Sequence, residues 1–215
     1  MIEFPNINPI ALDLGLLQIR WYAISYVTGI LLSWFLILKI IKIKKINIDN
    51  QTISELISNS IIGIILGGRL GYVIFYNHEY FSNNLLEIFK VWNGGMSFHG
   101  GLIGVIIAVI YTSKRTKTSL MLLADLVAIV SPVGIFFGRI ANFINGELYG
   151  RVTTHPFGII FPNGGNIPRH PSQLYEAFFE GFLLFLILLL LLQFKKIIKS
   201  NGILTGCFIS IYGFF

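Results

Sequence analysis

The sequence predicts an all-α fold, a polytopic bundle of helices embedded in a membrane. Of the 215 residues, 54% are hydrophobic and only 12% are charged, whereas soluble domains carry about 25% charged residues. Apolar runs of about 20 residues, the length that spans a bilayer, recur along the chain. Short loops rich in lysine separate several of these runs. Together these three observations indicate an integral membrane protein.

Five of the runs are expected to be complete transmembrane helices, and a truncated sixth begins near Ile203 and stops at Phe215. The third run is short, so we expect it to tilt or to include residues of the preceding loop. No soluble segment, low-complexity tract or internal repeat is apparent, which predicts a single membrane domain over residues 1–215. The five runs lie at 17–41, 55–76, 99–113, 119–144 and 173–194.

Clusters of basic residues predict the orientation of the helices. The clusters follow the first, third and fifth runs, so all three lie on one side of the membrane. Because short loops rich in lysine and arginine stay in the cytoplasm, the amino terminus and segments 77–98 and 145–172 are expected outside. Residues 1–16 lack the basic region of a cleaved signal peptide, so the first run is expected to remain as an anchor. The clusters are Lys39, Lys42, Lys44 and Lys45; Lys114, Arg115 and Lys117; and Lys195, Lys196 and Lys199.

This orientation gathers most of the costly polar groups in the outer half of the membrane. The inner half contains little besides Glu55 and Asp125, of which Asp125 is expected to be structural. A charged side chain in hydrocarbon costs about 3 kcal/mol or more, so the asymmetry predicts a polar pocket that faces the outer leaflet and suits an anionic lipid headgroup. The outer group comprises Arg20, Tyr22, Arg69, His99, Arg139, Glu176 and Glu180.

Arg139 is the central residue of that predicted pocket. It lies near the outer end of the fourth run and shares a helix face with Asn142, because the two are three residues apart. The planar, always charged fork of a guanidinium suits a phosphate. The alternative is an ion pair with Glu147, Glu176 or Glu180, since arginines in membranes pair with acidic residues.

The glycine-rich run 94–101 is a second candidate region. Glycines let the backbone approach a ligand closely, free N–H groups at the start of the next helix can bind an anion, and His99 can exchange a proton. The alternative for His99 is a satisfied histidine at the membrane interface. Arg69 is either a structural partner of an acidic neighbour or a second anion ligand.

Tyr22 and Glu176 each have a functional and a structural interpretation, and Ser172 has a structural one. Tyr22 belongs either to the site or to the belt of aromatic residues at the membrane interface. Glu176 either takes part in the site or complements the dipole of the fifth helix. Ser172 is a candidate cap for the start of that helix.

Other features of the sequence exclude several classes of site. Cys207 is the single cysteine, so no disulfide framework or cysteine-rich metal site is possible. His78, His155 and His170 are not spaced as metal ligands, and no metal is expected. The net charge of +6 comes from lysines in topogenic loops, so no nucleic-acid partner is expected. An enzyme, a transporter of anionic lipids and a non-catalytic lipid-binding subunit remain; a transporter would favour internal repeats and charge at the midplane.

Three motifs resemble the signatures of the prolipoprotein diacylglyceryl transferase family. They are WNGGMSFHGGLIG at 92–104, GRIANFINGELYGR at 138–151 and RHPSQLYE at 169–176. Shorter matches at 20–22, 67–72 and 211–213 extend the resemblance to the last residue.

The resemblance implies a bacterial inner-membrane enzyme with seven helices and without metal or cofactor. Its partners would be phosphatidylglycerol, preprolipoproteins with a lipobox cysteine, and membrane lipid. The diacylglyceryl group would pass to the cysteine thiol, giving a thioether and glycerol phosphate. Because that sulfur belongs to the substrate, the enzyme needs no cysteine of its own.

The resemblance also implies roles for individual residues. Arg139 would hold the phosphate and stabilise charge on the leaving group, His99 would be the general base for the thiol, and Tyr22 would be essential. The remaining matches, expected to bind phosphatidylglycerol, are Asn142, Glu147, Gly150, Arg69, Glu176 and Tyr212.

Three departures from the family pattern stand out. Ala141 replaces a usual glycine and Tyr149 a usual tryptophan. The Tyr212–Gly213 motif would lead within three residues to a second essential arginine, and this sequence stops at Phe215. We therefore expect weak or no transferase activity from the 215-residue chain, and expect an appended carboxy-terminal segment of the family to restore it.

Overall fold

The structure is a computed structural model that describes residues 2–5, 7–15, 18–194, 197 and 200–215. Three lysines used to predict the orientation, Lys195, Lys196 and Lys199, lie outside the described residues. The helices are α1 (Trp21–Lys44), α2 (Asn50–Phe75), α3 (His78–Asn83), α4 (Phe98–Thr116), α5 (Leu120–Ile144), α6 (Ser172–Leu191) and α7 (Ile203–Tyr212).

The predicted helical fold is confirmed. Each apolar run falls mainly in a helix, but residues 18–20 of the first run form a β-strand and its helix begins at Trp21. Among the described residues, four helices, α1, α2, α5 and α6, are long and apolar enough to cross a membrane. The chain is therefore a multi-pass membrane protein. Helix α4 has 19 residues and carries Lys114 and Arg115 in its last turn, and α7 has 10 residues. The number of crossings stays a prediction.

Short elements connect the long helices. Two 3₁₀ turns, Leu85–Phe89 and Val91–Asn93, lie between α3 and α4. Strand β1 (Ile2–Glu3) pairs in parallel with β4 (Ile159–Ile160), and β2 (Ile10–Asp13) pairs antiparallel with β3 (Gln18–Arg20). The described chain divides into two compact units: the α2–α4 unit is Leu38–Ala124, and the α5–α6 unit contains the residues up to Ile37 and Asp125–Phe215.

Glycines bring α2 and α4 into close contact in the α2–α4 unit. A methyl group on Gly67 would overlap the carbonyl group of Gly100, and one on Gly104 would overlap the carbonyl group of Gly63. Small residues four apart are typical of closely packed membrane helices. Gly100, one of the glycines of the second candidate region, therefore packs against α2.

Capping side chains begin two of the helices. Asp49 accepts a hydrogen bond from Thr52 N at 2.6 Å at the start of α2, and this bond holds the pKa of Asp49 below its usual range. In the α5–α6 unit, Asp125 of α5 accepts from Gly202 N and Thr205 N at 2.7 and 2.8 Å. Asp125 also accepts from Thr205 Oγ1 at 2.7 Å. Asp125 thus satisfies the first turn of α7, which fits the structural role expected for it.

Helix α6 is irregular where it approaches α5. Its segment Ala177–Leu183 is a π-helix, a wider turn that often occurs at functional sites. A Cβ atom on Gly181 would lie 2.7 Å from Cβ and 2.8 Å from Cα of Phe136 on α5. Only a glycine permits this approach of the two helices.

Candidate functional site

Arg139, near the end of α5, forms ion pairs with two carboxylates of α6. Its Nε atom lies 2.8 Å from Glu176 Oε2, and its Nη2 atom lies 3.5 Å from Glu180 Oε2. The three side chains are 26%, 30% and 14% exposed. The ion pair considered as the alternative for Arg139 is therefore present, with two of its three candidate partners.

Tyr212, the last residue of α7, lies beside this ion-pair cluster. Its hydroxyl group is close enough to Arg139, Glu180 and Glu176 to interact with their charges. Its ring stacks on Phe208 at a centroid distance of 5.7 Å. The structure thus brings together the predicted residues Arg139, Glu176 and Tyr212, which come from three helices.

Asn142 lies one turn beyond Arg139 on α5 and contacts the third candidate carboxylate. Asn142 Nδ2 donates to Glu147 Oε1 at 2.8 Å, and Asn145 Nδ2 donates to the same oxygen at 3.3 Å. Glu147 N also donates to Asn142 O at 3.1 Å. Amide groups therefore hold the Glu147 carboxylate, and among the described residues no arginine or lysine forms an ion pair with it.

Tyr22, in the first turn of α1, pairs with a second tyrosine, Tyr26. The hydroxyl groups of Tyr22 and Tyr26 lie 3.3 Å apart, and the rings meet edge to face at 5.0 Å. Tyr26 in turn is close enough to interact with the charge of Glu147. The hydroxyl pair Tyr22–Tyr26 therefore lies in the electrostatic range of Glu147, without a hydrogen bond between Tyr26 and Glu147 among the contacts of the described residues.

The first turn of α6 holds two consecutive carbonyl groups of the loop that carries Glu147. Gln173 Nε2 donates to Glu147 O, and Ser172 Oγ donates to Leu148 O at 2.9 Å. Leu148 has a φ of 56°, a left-handed conformation that costs a residue with Cβ roughly 1–2 kcal/mol. The two hydrogen bonds hold the backbone in this strained turn. Ser172 does not cap α6 as predicted: the cap position belongs to Pro171, without a side-chain bond.

Sequence reasoning missed Gln173, although one signal was available. Its side chain is fully buried, and a buried amide needs hydrogen-bond partners. Gln173 precedes Glu176 by three residues and so shares its helix face. A buried polar residue on the face of a predicted site residue is a candidate for positioning that site.

Gly150 lies where two segments of the loop 145–172 meet. Its N–H group donates to His170 O at 2.9 Å, and a Cβ atom on it would lie 3.0 Å from that oxygen and 3.1 Å from the Cβ of His170. The residue therefore permits a close backbone contact within the loop. Its predicted contact with the lipid headgroup stays a prediction.

Arg69 is buried in the α2–α4 unit and holds the loop before α4. Nε donates to Ile88 O at 2.9 Å, Nη2 to Glu87 O and Lys90 O at 2.6 and 3.1 Å, and Nη1 to Gly94 O and to Gly95 O at 3.2 Å. These five bonds use every N–H group of the guanidinium. In this structure the five N–H groups of Arg69 bond to backbone carbonyl groups, which favours the structural interpretation of this residue; its role as an anion ligand stays a prediction.

His99 lies in the first turn of α4 and is exposed. Its ring contacts Phe98 edge to face at 5.6 Å. Ser97 caps the helix by accepting from Gly100 N at 3.2 Å, which satisfies one of the N–H groups that were expected to bind an anion. The ring makes no hydrogen bond to another described residue, so it is available to a substrate.

With these positions established, comparison with known proteins identifies the family. Residues 9–215 match the family model of prolipoprotein diacylglyceryl transferase. The chain belongs to this family. The resemblance seen in the sequence motifs is therefore confirmed.

Three relatives of the transferase family illustrate the similarity, and all are named phosphatidylglycerol–prolipoprotein diacylglyceryl transferase. The protein of Rickettsia akari is 52% identical over 214 residues, which cover 100% of this chain and 83% of the relative. That of Rickettsia felis is 51% identical with the same coverage. That of Rickettsia bellii strain OSU 85-389 is 53% identical over 215 residues, covering 100% of this chain and 81% of the relative.

Proposed function

We propose that the chain transfers the diacylglyceryl group of phosphatidylglycerol to the thiol of a lipobox cysteine in a preprolipoprotein. Membership of the transferase family and the names of its relatives support this reaction. The observation that carries the proposal is the cluster around Arg139, in which a guanidinium at the end of an apolar helix is held by ion pairs through Nε and Nη2, and neither ion pair uses Nη1. Such a group suits the phosphate of a lipid.

The reaction exchanges one bond for another at a single carbon. The substrate's sulfur attacks the glyceryl carbon that carries the phosphate ester, a C–S bond forms, and the C–O bond to phosphate breaks. Glycerol phosphate leaves with the electron pair. Arg139 stabilises the charge on the departing phosphate, the type of electrostatic term that is often the largest in catalysis.

The remaining predicted residues have supporting roles in this proposal. His99 takes the thiol proton, which is needed because a free thiol with a pKa near 8.5 is mostly protonated at pH 7. Tyr22, Asn142, Glu147 and Gly150 form the part of the site that contacts the headgroup. Glu176 and Tyr212 flank Arg139 and shape the phosphate site. The proposed reaction uses no metal or cofactor.

We further propose that the protein lies in the bacterial cytoplasmic membrane with its amino terminus in the periplasm. Basic residues at the ends of α1 and α4, Lys42, Lys44, Lys114 and Arg115, support this orientation, because such residues stay in the cytoplasm. The start of α1, the end of α5 and the start of α6 then face the periplasm. The site would meet the lipobox cysteine at the outer end of a signal sequence.

The test is a lipidation assay with purified protein, phosphatidylglycerol vesicles and a lipobox peptide. We expect lipidated peptide and glycerol phosphate in equal amounts. The assay is run on the 215-residue chain and on this chain extended by the carboxy-terminal segment of the Rickettsia akari relative, of which this chain covers 83%. Lipid movement between leaflets without lipidated peptide would show a transporter, and lipid binding alone would show a non-catalytic subunit.

A further inference from the structure

We propose that Glu180 is a positioning residue that orients Arg139, so that the Nη1 end of its guanidinium faces the phosphate of the lipid substrate. The inference rests on the proposed function, since it assumes that Arg139 binds that phosphate. Glu180 acts through Arg139 and does not itself contact the reacting atoms.

The first support is the edge of the guanidinium that the carboxylates occupy. Nε pairs with Glu176 at 2.8 Å and Nη2 with Glu180 at 3.5 Å. The Nε–H bond and one Nη2–H bond are parallel and form one edge of the planar group. Both ion pairs run through Nε and Nη2, and neither uses Nη1. The two carboxylates therefore leave the Nη1 end of the fork for a contact with phosphate, beside the Tyr212 hydroxyl group that also interacts with Arg139.

The second support is the backbone that brings Glu180 to Arg139. Glu180 lies within the π-helical segment Ala177–Leu183, and the next residue, Gly181, packs directly against Phe136. Phe136 precedes Arg139 by three residues, so both lie on one face of α5. The π-helical turn and the absence of a side chain on Gly181 thus bring the Glu180 carboxylate to the guanidinium. An ordinary contact between two apolar helices needs neither feature.

The third support is the balance of charge. Glu176 alone neutralises Arg139, so Glu180 adds a second negative charge beside a site proposed for an anion. Its charge opposes phosphate binding, and its side chain is only 14% exposed, which adds a desolvation cost. The contribution of this carboxylate is therefore geometric: it is an acceptor that fixes the direction of the Nη2–H bond.

The experiment compares Glu180→Ala with Glu180→Gln in the 215-residue chain. Native mass spectrometry measures the apparent affinity for phosphatidylglycerol against phosphatidylcholine, and thermal unfolding checks that each variant is folded. Glu180→Gln keeps an acceptor for Nη2 and removes the repulsive charge. We expect Glu180→Ala to weaken phosphatidylglycerol binding about tenfold, the loss of one hydrogen bond to a charged group, and Glu180→Gln to bind within about threefold of the parent or more tightly. The matched control is Glu79→Ala, an exposed glutamate of α3.

The outcomes separate this inference from the proposed reaction. Glu180→Ala binding phosphatidylglycerol as tightly as the parent would overturn the positioning role, and so would Glu180→Gln binding as weakly as Glu180→Ala. A parent chain that binds the lipid but, even when extended, lipidates no peptide would refute the proposed reaction, while the affinities still decide the role of Glu180. In an active chain, Glu180→Ala should raise KM for phosphatidylglycerol and keep kcat within about threefold.

Discussion

Arg139 Nε lies 2.8 Å from Glu176 Oε2, which pairs an arginine at the end of one membrane helix with a carboxylate in the first turns of another. Ion pairing and phosphate binding are usually treated as alternatives for such an arginine. Here the carboxylates pair with Nε and Nη2, so Arg139 can form its ion pairs and bind a phosphate at the same time. The pair lets the guanidinium stay charged and oriented before the lipid arrives, which reduces the reorganisation that binding requires.

The first prediction concerns the shape of the cation at position 139. Arg139→Lys keeps the charge and loses the planar fork, so one ammonium cannot pair with Glu176 and Glu180 and still contact a phosphate at two points. We expect kcat/KM for lipidation to fall about a hundredfold, or about 2.7 kcal/mol, and Arg139→Ala to abolish turnover. The control is Arg151→Lys, at an exposed position. Wild-type turnover by Arg139→Ala would refute the role assigned to Arg139.

The second prediction concerns the bond from Gln173 to the Glu147 carbonyl group. Gln173→Met fills a similar volume but removes the donor to the carbonyl oxygen of Glu147, a loss of roughly 0.5–1.5 kcal/mol. We expect a lower unfolding temperature and weaker binding of phosphatidylglycerol, because Glu147 is no longer fixed beside Asn142. Gln51→Met is the control, since its amide makes a 3.4 Å bond on the exposed face of α2. Equal effects of both substitutions would argue against a positioning role for Gln173.

The third prediction tests the role of Arg69 in holding the loop before α4. Lysine has three N–H donors and so cannot satisfy five carbonyl oxygens. We expect Arg69→Lys to lower the free energy of unfolding by about 2 kcal/mol or more and to speed tryptic cleavage after Lys90, which lies in that loop. Arg20→Lys, at an exposed position, should leave the cleavage rate unchanged. If Arg69 instead binds the lipid, cleavage should stay slow and lipid affinity should fall.

The helices were predictable because each depends on a local signal, the length of an apolar run. The ends of α5 and α4 were also predictable from the sequence, because Arg139 and the basic residues near Lys114 interrupt runs of apolar residues. The sequence did not predict which carboxylate pairs with Arg139. Glu176 and Glu180 are 37 and 41 residues away, and Glu147 is a nearer candidate. Sequence spacing alone cannot show that amide groups bond to the Glu147 carboxylate, or that Arg139 therefore pairs with the carboxylates of α6.

The contacts of Arg69 and Gly100 were not predictable, for related physical reasons. Arg69 pairs with backbone carbonyl groups of 3₁₀ turns, and such turns have no pattern of side chains that reveals them. The packing of Gly100 on α2 was not predicted because the spacing of glycines was considered on one helix at a time. Gly63 and Gly67 on α2 repeat the four-residue spacing of Gly100 and Gly104 on α4, and this matching spacing indicates helix packing.

The fourth prediction compares two glycines of α4. A methyl group on Gly104 would overlap the carbonyl group of Gly63, whereas one on Gly101 would lie 3.8 Å from its nearest neighbour, Ile64 O. We expect Gly104→Ala to lower the free energy of unfolding by about 1–3 kcal/mol through overpacking. Gly101→Ala should be neutral or stabilise by up to about 1 kcal/mol, because alanine favours a helix more than glycine. Chemical or thermal unfolding in detergent measures both, and equal stabilities would contradict the close contact of α2 and α4.

The fifth prediction uses the single cysteine as a probe of α7. Asp125 accepts three hydrogen bonds from the first turn of that helix, so Asp125→Ala leaves these donors unsatisfied and should cost about 1–2 kcal/mol. We expect α7 to open more often, which would raise the rate at which a maleimide labels Cys207, a partly buried thiol of α7. The matched control is Asp49→Ala, which removes the cap of α2 and should leave Cys207 labelling unchanged. Because Tyr212 ends α7 beside Arg139, Asp125→Ala should also weaken phosphatidylglycerol binding. If neither the labelling rate nor the lipid affinity changed, α7 would be held by its apolar contacts alone.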